Sequence, residues 1–169
     1  MIRAHASALI ASPADRVFKL LAVDFFRSYK RWSPEVVSVQ PLSGASVRIG
    51  TRGRQVRIDH GRRTEATFRV SAFESGKRID FEGISDPFHI SYRLQGLAEQ
   101  TRLTFDFELS RLALYMRPFE TLIRIVAQDD AERVVRNIKR LVEADGARPA
   151  EDVARRASYR ARRRRELGE

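Results

Sequence analysis

The sequence predicts an α+β domain, and three observations carry that prediction. Apolar residues recur at every second position through most of residues 35–110, the signature of strands with one half-buried face. The period then changes to 3.6 for about seven turns. A short helical stretch separates the first strand from the rest, so strands and helices are segregated rather than alternating.

Taken in order, Ile2, Ala4, Ala6, Ala8 and Ile10 share one face of a first strand, with Arg3, His5 and Ser7 on the other. Ser12-Pro13-Ala14-Asp15 supplies an N-cap and a proline at the first helical position. Val17, Phe18, Leu20 and Leu21 then mark a short helix over 13–23, and a second follows from Phe25 to Lys30. Val37 and Val39 open a strand that ends at Pro41. An extended stretch from Val47 to His60 is interrupted by Gly50 and Gly53 and turns at Gly61-Arg62-Arg63. Ala66, Phe68, Val70 and Ala72, then Ile79 and Phe81, then Phe88, Ile90, Tyr92 and Leu94, and finally Leu103, Phe105, Phe107 and Leu109 each alternate with polar residues. Short turns between them imply an antiparallel meander with one apolar face. Phe119, Leu122, Ile123, Val126, Val134, Ile138, Leu141 and Val142 form the stripe of a helix over about 117–144, with Gly146 as its C-cap. Its partner is the apolar face of the sheet.

At 169 residues and 43% hydrophobic composition, the chain holds enough apolar material for one core without a covalent staple. Cysteine is absent, which excludes disulfides, thiolate metal sites and cysteine nucleophiles. No apolar run reaches the ~20 residues of a membrane span, and Ala8 to Ala11 is too short for a signal peptide. The cytoplasm is the expected address. The net charge is +10, written almost wholly in arginine. Residues 147–169 hold eight Arg against four acidic residues, so the expected organisation is a domain over 1–146 followed by an Arg-rich tail. Such a tail offers weak, unspecific contact to phosphates of nucleic acid or anionic lipid.

Polar residues on an otherwise apolar face are the candidates for chemistry. Asp130 interrupts the long helix's stripe between Val126 and Val134, and Asn137 follows two turns later. Arg54 and His60 share the parity of Val56 and Ile58, which places all four inward if that strand is regular. Tyr92 lies between Ile90 and Leu94. Asp130, His60 and Tyr92 are the candidate acid–base groups, Arg54 is a candidate partner for Asp130, and a cavity would move their pKa values toward neutrality. Three scattered histidines provide no metal-ligand cluster, so neither a metal nor a cofactor is expected.

Several segments carry a resemblance to a known family. They are Ile10-Ala11-Ser12-Pro13 through Val17-Phe18-Lys19-Leu20-Leu21, Trp32-Ser33-Pro34-Glu35-Val36-Val37-Ser38-Val39, and Gly50-Thr51-Arg52-Gly53-Arg54. With the aromatic last strand and the long helix, they resemble the helix-grip fold of the START and birch-pollen-allergen-like (SRPBCC) superfamily, and locally its bacterial polyketide cyclase/dehydrase branch. The resemblance covers roughly residues 2–145 and is specific for fold, weak for function. It implies a curved antiparallel sheet of six to seven strands gripping the helix, with a cavity for a hydrophobic or amphipathic ligand that is lipid-, polyketide- or quinone-like. The expected lining is Arg54, Val56, Ile58, Phe68, Val70, Phe81, Phe88, Ile90, Tyr92, Phe105, Phe107, Val126, Asp130, Val134 and Asn137. A binder of such a ligand is the first expectation. The alternative is a cyclase, aromatase or dehydratase that moves protons with the cavity's polar groups. A third reading is a quinone- or ribosome-associated basic protein.

Overall fold

In the computed structural model the described residues are 1–44 and 46–166, with the side chains of 148–152 and 160–166 outside the description. Strand β1 (Ile2–Ile10) leads into α1 (Ala14–Phe18), a π-helical turn (Lys19–Val23) and α2 (Phe25–Trp32). Six strands follow: β2 (Val36–Pro41), β3 (Arg52–Asp59), β4 (Arg62–Glu74), β5 (Arg78–Gly83), β6 (Phe88–Leu97) and β7 (Gln100–Leu109). A 3-10 helix (Leu114–Phe119) then opens α3 (Glu120–Glu166). The N-terminal capping differs from expectation. Pro13 itself is the N-cap of α1, with no side-chain cap, while Ser12 is buried and its hydroxyl finds no partner among the described residues.

The strands form one antiparallel sheet in the order β1-β7-β6-β5-β4-β3-β2. Consecutive strands pair as a meander, and β1 closes onto β7 from Ile2 opposite Leu109 to Ile10 opposite Thr101. Register shifts between Val36 and Ser38 and between Val70 and Ala72 insert extra residues, which bend a strand and raise its twist. The β3–β4 turn is one residue earlier than the sequence suggested. His60 and Gly61 both have positive φ, at 50° and 80°, as a two-residue hairpin with a primed turn requires, and Arg62 and Arg63 already belong to β4.

Helix α3 lies chiefly against β1, with lesser contact to β7 and α2. Its buried line is Ala131, Val135, Ile138 and Val142. The first turns of the expected stripe do not join it, since Phe119 and Leu122 are exposed. Gly146 does not end the helix, which continues for 47 residues in all. The remaining concave face of the sheet is covered by α1 and α2, whose Val17, Phe18, Leu21, Phe25, Tyr29 and Trp32 enter the same core as Phe68, Phe81, Tyr92 and Phe105.

Candidate functional site

Helix α2 places Phe25, Tyr29 and Trp32 at i, i+4 and i+7, one above another on the face that meets the sheet. From the sheet, Phe68, Phe81 and Tyr92 rise to meet them. Phe25 stacks on Phe81 with ring centroids 4.4 Å apart, and Phe68 meets both edge-on at 5.7–5.9 Å. Tyr92 continues the cluster to Phe105 at 5.1 Å. Gly53 makes this packing possible. It is the cross-strand partner of Phe68, and a Cβ there would fall 2.4 Å from the ring. The aromatic groups leave a cavity of about 10 Å³ lined by Phe25, Tyr29, Gln55, Phe68, Phe81, Phe88, Ile90 and Tyr92. That is room for about one water.

A polar network closes one side. Trp32 Nε1 donates to the Tyr92 hydroxyl at 3.3 Å. Burial pushes the Tyr92 phenol up, and neighbouring Tyr29 adds to the effect, so this hydroxyl stays protonated at any ordinary pH. Arg57 donates to the Tyr29 hydroxyl and to Ser33 Oγ, each at 3.4 Å, and forks onto Asp59 at 3.1 and 3.2 Å. Burial alone would depress the guanidinium's pKa, but Tyr29, Asp59 and Glu35 outweigh it and raise it. Gln55 is the exception in this network. The residue is 8% exposed and lines the cavity, and its amide, which is not fully enclosed, makes no hydrogen bond among the described residues.

The structure brings together Phe68, Phe81, Phe88, Ile90 and Tyr92 of the expected lining. Val70 and Phe105 are buried core residues beside them, and Phe107 and Val134 pack against that core from its margin. Val126 is half-buried on the opening turns of α3. Asn137 donates to the carbonyl of Trp32 at 3.0 Å and so ties α3 to the end of α2. Arg54, Val56 and Ile58 face the other way. Gly53, Gln55 and Arg57 take the inward positions of β3, Arg54 pairs with Glu65 at 2.7 Å, Val56 is buried outside the main core, and Ile58 is exposed. His60 sits in the hairpin turn, exposed. Asp130 is half-exposed and pairs with Arg133 at 2.6 Å, not with Arg54. Arg133 also holds Glu35 at 2.6 Å. Burial raises the Asp130 carboxyl, opposed by Arg133 and reinforced by Glu35.

Phe25, Tyr29 and Gln55 are the lining residues the sequence reasoning missed. The α2 spacing was a usable signal for the first two. Gln55 carried none, because its face follows from the register of β3. No group of three His, Asp or Glu among the described residues could hold a metal ion. No helix there is long and apolar enough to cross a membrane.

The fold matches solved structures across most of its length. TTHA0849 from Thermus thermophilus superposes with a TM-score of 0.68 at 17% identity, over 85% of this chain and 98% of that one. The Zhui aromatase/cyclase from a Streptomyces species gives 0.67 at 16%, over 83% and 93%. A START superfamily protein from Mycobacterium smegmatis gives 0.67 at 14%, over 84% and 97%. At these identities the likeness establishes the helix-grip fold. No curated protein sequence matches the chain. Residues 1–143 match the model of a family described as polyketide cyclase / dehydrase and lipid transport.

Proposed function

Since the chain belongs to the polyketide cyclase / dehydrase and lipid transport family of the SRPBCC superfamily, we propose that its aromatic cavity binds one small, flat, amphipathic molecule bearing an oxygen acceptor. The observation that carries this is Gln55. Its amide makes no hydrogen bond among the described residues but is not sealed from solvent, since Ser12 Oγ is the one fully enclosed side-chain polar atom there without a partner, and it is the one amide set among six aromatic rings. A conjugated ring slotted between those rings, with a carbonyl on the Gln55 amide or the Tyr92 hydroxyl, would gain stacking and a hydrogen bond together.

At about 10 Å³ the cavity is nearly filled, so entry requires side chains to move. Phe88 and Ile90, both half-buried, are the lining residues best placed to swing outward. Binding is preferred to cyclase or dehydratase chemistry because, of the three acid–base candidates, only Tyr92 faces the cavity. A phenol held protonated there donates a hydrogen bond and does not abstract a proton.

The test uses the uncharged naphthalene ketone prodan. Saturable binding with a blue-shifted emission is expected. Gln55→Leu should weaken it about tenfold, the worth of one hydrogen bond, while leaving the ligand-free protein as stable or more so. Absence of saturable binding, or a Gln55→Leu protein that binds equally well, would refute the proposal.

A further inference from the structure

Outside the core the chain leaves a run of large apolar side chains exposed. The 3-10 helix buries none of its residues. Leu114 (73%), Tyr115 (67%), Phe119 (59%), Leu122 (58%) and Ile125 (55%) all stand open to solvent within twelve positions. The cause is geometric. α3 packs through Ala131, Val135, Ile138 and Val142, and its opening turns present half of their apolar sector away from the sheet. Exposed apolar side chains clustered this closely along the chain point to an interaction site.

The ridge begins beside one wall of the cavity. Ser110 N donates to the Pro87 carbonyl at 2.9 Å, which sets the ridge's first residues beside the β5–β6 loop, where Ile84 is also exposed and from which Phe88 enters the lining. Glu35 accepts from Ile58 N at 2.9 Å through its carbonyl and pairs with Arg133 of α3 at 2.6 Å through its carboxylate, so the base of the β3–β4 hairpin faces the helix. That hairpin carries exposed His60, Arg62 and Arg63. The ridge itself adds exposed Arg111 and Arg117, neither with a carboxylate partner among the described residues. Arg124 pairs with Glu120 at 3.0 Å.

Apolar side chains interleaved with unpaired arginines fit a negatively charged interface that has an apolar interior. A second copy of this chain fits poorly, because a two-fold contact would set the same arginines against one another. We propose that the ridge over residues 111–125 docks the cavity mouth on an anionic lipid bilayer, from which an amphipathic ligand enters. Only the entry step rests on the binding function proposed above; the docking is measured without any ligand.

Flotation of the full chain with vesicles tests it, comparing pure phosphatidylcholine with vesicles containing about one third phosphatidylglycerol. Binding only to the anionic vesicles, weakened by salt, is expected. Leu122→Glu with Ile125→Glu should bring binding to the phosphatidylcholine level. Arg111→Gln with Arg117→Gln should lower it about tenfold to thirtyfold. All four positions are exposed, so both variants should melt like the parent and bind prodan equally in vesicle-free solution. That control separates failed docking from a failed cavity. Unchanged vesicle binding in both variants would overturn the proposal and assign the attraction to the Arg-rich C-terminal residues. A concentration-dependent dimer that Leu122→Glu with Ile125→Glu abolishes, without vesicle binding by the parent, would overturn it in favour of self-association.

Discussion

Two aspartates show how position decides what a carboxylate does for this protein. Asp80 is 1% exposed on the outward side of β5. Burial opposes its ionisation, but hydrogen bonds from Arg78 and Ser91, with the charges of Arg78 and His89, outweigh it and lower its pKa. Its ionised form therefore stabilises the fold above the ordinary Asp range, and that contribution is lost as pH falls through the lowered value. Asp80→Asn should cost about 1–3 kcal/mol at pH 7 by urea melting, with the difference shrinking in acid. Asp130 has the opposite sign. Burial raises its pKa, so its charge is carried at a cost that disappears as pH drops toward the ordinary value and it takes a proton. Half-exposed and screened, Asp130→Asn should leave stability at pH 7 within about 0.5 kcal/mol of the parent, because Arg133 keeps Glu35. Gly53 makes a third case. Gly53→Ala must displace the Phe68 ring, and a cost of about 1–3 kcal/mol is expected, together with altered prodan affinity.

Among the elements, β1, β6 and β7 were legible because one face is chiefly apolar and the other chiefly polar, with Leu9 and Thr101 among the exceptions. β3 was not. Val56 and Ile58 are its apolar residues, and period two assigns them inward. The observed face is instead Gly53, Gln55 and Arg57. Gly53 accommodates Phe68, and Tyr29, Ser33 and Asp59 supply partners that make a guanidinium tolerable inside. Those partners lie on α2, the turn after it and the strand's own end, and no window along β3 contains them all. For α3 the stripe located the helix but misjudged both ends. Beyond Asp145, whose carboxylate meets Arg31 at 3.1 Å, the described side chains from 153 to 159 are all exposed. Seven successive exposed residues span nearly two turns, so nothing packs on any side of the helix there. A chain ended after Ala147 should unfold within about 0.5 kcal/mol of the full one, as thermal or urea melting would report.

The whole molecule combines a nearly filled aromatic interior with an open apolar rim. Aromatic packing supports the fold without any ligand, so the purified protein is expected to show one cooperative melt. A bound molecule should raise the midpoint as its free concentration climbs above its Kd. The resemblance carried by residues 2–145 gave the architecture because it depends on element order. The lining was only half readable, because it depends on which rings fill the space. The length of α3 has a further, hydrodynamic consequence. At 1.5 Å per residue, the stretch after Gly146 reaches about 30 Å, and a body of this size has a radius of gyration of only about 15 Å. With the side chains of 153–159 all exposed, the helix there runs as a rod about three-quarters as long as such a body is wide. Frictional drag grows with that length while mass hardly does, so a single 19.4 kDa chain should elute well ahead of compact proteins of equal mass. Its scattering profile should show a maximum dimension well beyond the body's diameter, without any second subunit.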